Sequence, residues 1–132
     1  MTIHSPRQFA SRRPAGFDGI FDWDFLIGAF GPSIEPMDFD AVVERYGHFL
    51  VFETKDQGVP VPEGQRICLR AFARRPKNTV VIVTGKTAAT IHGCEVWRGD
   101  VTMAYPEWDA AALRRWCEAW FAIVEASQRL SR

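Results

Sequence analysis

The sequence predicts a mixed α/β domain, a central mixed sheet flanked by helices, and three observations predict it. Thr79 to Thr84 (TVVIVT) is a nearly unbroken β-branched run of the kind buried in the middle of a sheet. Ahead of it, two apolar stretches meet at Tyr46-Gly47 with the signature of a β-hairpin. The segments Glu63 to Arg75 and Asp109 to Leu130 carry apolar residues at helical spacing. A chain of 132 residues makes one compact domain with a core of its own and little room for a second.

Taken in order, Met1 to Pro14 is polar and arginine-bearing with no apolar centre. It is neither a secretory signal nor a membrane anchor, and residues 1–14 read as a loose arm, free to touch nucleic acid, ahead of a domain over 15–132. Phe21 to Phe30 (FDWDFLIGAF) predicts a short apolar helix with Asp22 or Asp18 near its start, ended by Gly31-Pro32. The hairpin follows, with Asp38 to Glu44 on one strand and His48 to Lys55 on the other. After a Gly- and Pro-rich loop over 56–62, Glu63 to Arg75 forms a helix with Ile67, Cys68, Ala71 and Phe72 on one stripe and Arg66, Arg70 and Arg74 on another. Pro76-Lys77-Asn78 breaks it before the Thr79–Thr84 strand, and Lys86 lies just past that strand's end. A short strand over Cys94 to Arg98 and a final helix from about Asp109 to Leu130 complete the order α, β, β, α, β, β, α.

The chemistry concentrates between Pro36 and Gln65. Side chains two apart on a strand share a face, so Asp38 and Asp40 project together, as do Glu53 and Lys55 on the partner strand. Antiparallel pairing then gathers three carboxylates and an ammonium at the open end of the hairpin. Carboxylates this close repel one another unless a cation intervenes, and a hard divalent ion such as Mg²⁺ is the natural resolution. The lysine can polarise an attacking water or stabilise charge developing on a phosphate. The plainer reading of Glu-x-Lys is a solvated cross-strand ion pair. That of Asp38 is a turn or cap, and that of Gln65 a polar residue at a helix start.

Pro36-Met37-Asp38-Phe39-Asp40 with Glu53-Thr54-Lys55 resembles the PD-(D/E)XK nuclease superfamily, whose pattern is an aspartate near a strand start, a hairpin, and Asp/Glu-x-Lys on the next strand. The resemblance extends to Gln65, since VRR-NUC-like and similar small, often phage-encoded nucleases carry a glutamine on the following helix. It implies a restriction-endonuclease-like core and DNA as substrate. It also implies Asp40 and Glu53 as ligands of Mg²⁺ or Mn²⁺, Lys55 as catalytic lysine and Gln65 as an accessory site residue. The usual Pro-Asp pair is spread here, so either Asp38 or Asp40 can be the principal ligand. Asp40 is favoured because apolar Ala41-Val42-Val43 follows it directly. In related nucleases an acid on the first helix completes the metal shell, which brings in Asp22 or Asp24. The rival function is a catalytically silent module of this fold that binds DNA or a protein partner, as an inhibitor or as a subunit of a larger complex.

The formal net charge is zero, but its distribution is uneven. From Pro14 to Glu53 the charges are Asp18, Asp22, Asp24, Glu35, Asp38, Asp40, Glu44 and Glu53 against Arg45 alone, and from Lys55 to Arg98 basic residues dominate. An acidic pocket beside a basic flank suits a phosphodiester, with Arg66, Arg70, Arg74 and Lys86 as nucleic-acid contacts; the plainer reading is a solvated basic helix face. Cys68, Cys94 and Cys117 are odd in number and widely spaced, which predicts neither disulfides nor zinc and fits a reducing cytoplasm. Leu113, Trp116, Trp120, Ile123 and Val124 form an amphipathic stripe, read as core packing, with a homodimer through the C-terminal helix as the alternative. Trp97 and Trp108 are either structural or platforms for bases.

Overall fold

The structure, a computed structural model, describes residues 21–130, so the arm over 1–14 and Asp18 lie outside the described residues. The chain divides into two units at Asp38–Phe39. In the first, the helix expected from Phe21 to Phe30 reduces to one 3₁₀ turn, Asp24–Leu26, whose Asp24 amide donates to Asp22 Oδ1 at 2.9 Å. Apolar side chains lie on every side of this stretch, with Phe21, Trp23, Phe25, Ile27 and Phe30 all exposed, so no single stripe exists to drive a helix. Gly28 and Gly31, both at positive φ, end it.

The second unit holds a five-stranded sheet in the order β1-β2-β3-β4-β5, with β1 Ala41–Arg45, β2 His48–Lys55, β3 Asn78–Thr84, β4 Cys94–Arg98 and β5 Val101–Tyr105. Only β2 and β3 run parallel, joined through helix α1, Glu63–Ala73; every other neighbouring pair is antiparallel. Helix α2, Ala110–Leu130, closes the chain. The expected mixed sheet with flanking helices is the observed class.

Local chemistry explains the strands. Tyr46 and Gly47 both take positive φ, as a two-residue hairpin turn demands, and Glu44 Oε2 accepts from the Gly47 amide at 2.8 Å. β3 is buried along Thr79–Val83, as its β-branched run requires. β5 is a strand beyond the expected order; it pairs with β4 across the Gly99-Asp100 turn and stays exposed at Val101 and Met103.

Alternation sorts the core into two layers. On one face Leu50, Val81, Val83, Cys94 and Val96 pack under Trp120 and Val124 of α2. On the other, Val51, Val80, Ile82 and Trp97 pack under Leu69 and Ala73 of α1. Full burial of such side chains stabilises by roughly 1.5–3 kcal/mol each. The inward stripe of α1 is therefore Gln65-Leu69-Ala73 with Phe72, and not the expected Ile67-Ala71 side: Ile67 is exposed because Leu69 takes the sheet-facing position. On α2, Leu113, Trp116, Trp120 and Val124 turn inward as expected, whereas Ile123 is exposed. Trp97 is buried beneath Arg70, whose guanidinium lies 4.3 Å from the ring centroid, and this removes it as a base platform. Trp108 stacks on Tyr105 at 3.9 Å against the α2-side core. No described helix is long and apolar enough to cross a membrane.

Candidate active site

Glu53 is the exception in an apolar layer. It follows Val51 on the α1 face of β2, pairs with Ile82 of β3, and is only 6% exposed. Taking a carboxylate out of water costs several kcal/mol unless hydrogen bonds and charge partners offset it. Helix α1 supplies one such bond. Its inward stripe begins at Gln65, one turn before Leu69, so the amide reaches the sheet and Nε2 donates to Glu53 Oε1 at 2.7 Å. A charge-assisted bond of this kind fixes the carboxylate's orientation as well as its solvation.

Lys55, two residues further on the same face, is half-buried at the carboxyl end of β2. Its Nζ donates to Val59 O at 3.3 Å, and its carbonyl accepts from the Gly85 amide at 2.9 Å, which ties the ends of β2 and β3 together. The carboxyl ends of parallel strands are where open α/β sheets bind ligands.

Asp40 sits just before β1. The register Ala41↔Phe52, continued by one residue, brings Asp40 level with Glu53. Its Oδ2 accepts from both the Thr54 amide and Thr54 Oγ1, each at 2.8 Å. The side chain thereby takes the place of a ladder carbonyl and ends the pairing of β1 with β2. This corrects the expectation that Asp38 and Asp40 project together from one strand: β1 starts at Ala41, and Asp38 is an exposed residue of the first unit. Asp22 and Asp24 also belong to that unit and are exposed, with Asp22 capping the 3₁₀ turn.

The basic row on α1 is divided. Arg70 Nη1 donates to Gly99 O at 3.1 Å and Val101 O at 3.2 Å, and its Nη2 donates to Thr102 Oγ1. Arg74 pairs with Asp100 at 2.6 Å. Both clasp the β4–β5 turn, whose Gly99 amide also caps Ala73 O at 2.8 Å. Among the described residues Arg66 makes a loose 3.9 Å pair with Glu63, and Lys86 lies 4.0 Å from Asp56; both are exposed.

Neither a family model, nor a curated protein, nor a solved structure matches this chain.

Among the described residues no three His, Cys, Asp or Glu side chains converge on a point that could hold a metal ion. Mg²⁺ does not require such a cage, because it is commonly held by one or two carboxylates and completes its octahedron with water and substrate phosphate. Asp40, just ahead of β1, is level with Glu53 on β2; Glu53 is oriented by an amide and Asp40 by the N–H and hydroxyl of Thr54, whose side chain projects from the face of β2 opposite to Glu53. Two residues near the site escaped sequence reasoning. Thr54 occupies the variable position of Glu-x-Lys, and only the fold reveals its grip on Asp40. Glu95 shares the face of Glu53 through the register Glu53↔Ile82↔Glu95, roughly 10 Å away at two strand spacings. Its signal was one charged residue inside the otherwise apolar Cys94–Trp97.

Proposed function

We propose that this chain is a metal-dependent nuclease that hydrolyses DNA phosphodiester bonds, with Asp40, Glu53, Lys55 and Gln65 as its site. The observation that carries the reading is the buried Glu53, held by Gln65 at 2.7 Å and followed two residues later on the same face by Lys55. A solvated cross-strand pair has no reason to bury its carboxylate under a helix.

Asp40 and Glu53 would hold Mg²⁺ or Mn²⁺, which when bound supplies Lewis-acid polarisation of the phosphate and a template for the reactants. Gln65 keeps Glu53 in one orientation, and Thr54 does the same for Asp40. Lys55, at the mouth of the site, hydrogen-bonds the attacking water or the phosphate oxygens as negative charge grows there. Water adds to phosphorus, the bond to the leaving sugar oxygen breaks, and that oxygen gains a proton. Arg66 and Lys86 remain available for phosphate contacts, whereas Arg70 and Arg74 serve the β4–β5 turn. The outward Phe121 and Ile123 of α2 are the side chains on which a homodimer would rest.

The test is incubation of the purified chain and its Glu53→Ala variant with supercoiled duplex and circular single-stranded DNA, in Mg²⁺, Mn²⁺ or excess chelator. Metal-dependent cutting by the parent, lost in the variant, supports the proposal. Binding without cutting by both favours the silent module, a reading that the engagement of Asp40 by Thr54 also accommodates.

A further inference from the structure

The first unit carries a second concentration of chemistry. Phe21, Trp23 and Phe25 alternate with Asp22 and Asp24, and the rings lie against one another, the Trp23 centroid 4.6 Å from that of Phe21 and 6.1 Å from that of Phe25. A depression of about 480 Å³ is walled by Trp23, Phe30, Ile34 and Met37 and lined also by Glu35 and Asp38. All of these side chains are exposed, and so are Phe25 at 71% and Ile27 at 63%.

Large apolar side chains left in water over so much of a short segment mark an interaction surface. They run past the depression to Phe21, Phe25 and Ile27, which is more than a small molecule in a pocket covers, so the occupant is a macromolecule. Its chemistry follows from the charges. No Lys, Arg or His lies between Pro14 and Arg45, and among the described residues neither Glu35 nor Asp38 forms an ion pair. A surface of this sign repels phosphate, which disfavours both nucleic acid and an anionic membrane. A second copy meeting it about a two-fold axis would set carboxylate against carboxylate. A protein segment with lysine or arginine between apolar side chains meets both demands. Its cations face the carboxylates and the electron-rich faces of the rings, and its apolar side chains fill the depression.

We infer that the segment from Phe21 to Asp38 is a docking site for a basic, apolar stretch of a partner protein. Trp23 is its anchor, because it both walls the depression and joins the row of rings, and a few such aromatic side chains carry most of the energy of an interface. Glu35 and Asp38 set the sign of charge that is accepted. The inference does not depend on the nuclease reading, since it uses none of Asp40, Glu53, Lys55 and Gln65.

The experiment measures fluorescence anisotropy of a short labelled peptide of alternating leucine and lysine with the full chain. Two peptides of the same length, with glutamate in place of lysine or serine in place of leucine, are measured beside it. The leucine–lysine peptide is expected to bind, and each replacement to weaken binding about tenfold or more. Trp23→Ala and Phe30→Ala should each weaken the leucine–lysine peptide about tenfold, with unchanged circular dichroism. Glu35→Gln and Asp38→Asn should each weaken it about two- to fivefold, and added salt should act in the same direction. Glu63→Gln, which removes an exposed acid of the second unit, should leave binding unchanged. No binding, equal binding of either replaced peptide, or a loss on Glu63→Gln as large as that on Glu35→Gln overturns the inference. So does Trp23-dependent sedimentation with phosphatidylserine vesicles, which makes the surface a membrane contact. A dimer in analytical ultracentrifugation that Trp23→Ala dissolves overturns it too, with a second copy as the occupant.

Discussion

The two faces of the sheet are built from the same strands and yet differ in kind. Under α2 the buried layer is apolar except for Thr79, running from Leu50 through Val81, Val83, Cys94 and Val96 to Trp120 and Val124. Under α1 the layer starts the same way, at Val51, Val80 and Ile82, and then admits Glu53, Gln65 and half-buried Lys55. Helix length accounts for much of this. The 21 residues of α2 span about 31 Å and the 11 of α1 about 16 Å. β2, with 8 residues, extends about 26 Å, more than α1 alone can roof. The long helix makes a face that stabilises; the short one leaves the carboxyl ends of β2 and β3 uncovered, and the polar side chains gather there.

Breaking the apolar face should have the largest effect. Trp120→Ala, which empties a site only 6% exposed, is expected to cost about 3–5 kcal/mol in denaturant unfolding while cleavage per folded molecule is unchanged. On the other face the consequences invert. Glu53→Ala should lower cleavage by about 10²–10³ or more with the fold retained, and removing a buried carboxylate should leave the thermal midpoint equal or higher. A stability loss as large as that of Trp120→Ala would show the two faces to be one ordinary core.

A smaller effect sharpens the contrast at the site itself. Thr54→Val deletes the hydroxyl bond to Asp40 and keeps the amide bond, which should cost about 0.5–1.5 kcal/mol. It should also raise the Mn²⁺ concentration needed for half-saturation, read by direct binding, and Thr54→Ser should restore both. A last effect, absent at neutral pH, belongs to the apolar face. Burial pushes the Cys94 thiol from an ordinary 9.0 up to about 11. Between those values the unfolded chain loses its proton while the folded one keeps it, so this group's contribution is fully present below about pH 9 and is lost as the pH rises towards about 11. Cys117 is raised by burial too and acts in the same direction. Urea titrations across this range should show the decline, and Cys94→Val should flatten it.

What was legible depended on how local the cause was. The Thr79–Thr84 strand and the Tyr46-Gly47 turn were readable because β-branching and turn geometry act within a few residues. β5 was missed although Gly99-Asp100 between two apolar stretches is a hairpin signal and Val101, Met103 and Tyr105 alternate with Thr102 and Ala104. The helix expected over 21–30 failed because apolar content was counted without asking whether it lay on one side. On α1 the arginines were visible at their spacing, but their use was not, because Asp100 and the carbonyls of Gly99 and Val101 reach them only across a hairpin some thirty residues away in the chain.

By itself the sequence determined the strand-and-helix class, the helix between the hairpin and the Thr79–Thr84 strand and the placing of Glu53 and Lys55 on one strand face, because strand period, helical spacing and β-branched burial are local properties; that β2 and β3 run parallel is tertiary. Only the tertiary structure decided that Gln65 meets Glu53, that Thr54 holds Asp40, that Asp38 falls outside β1 and that Arg70 and Arg74 are tied to the β4–β5 turn. Each of these is a hydrogen bond or a strand end whose partner is distant in sequence, and its existence depends on which elements become neighbours in space.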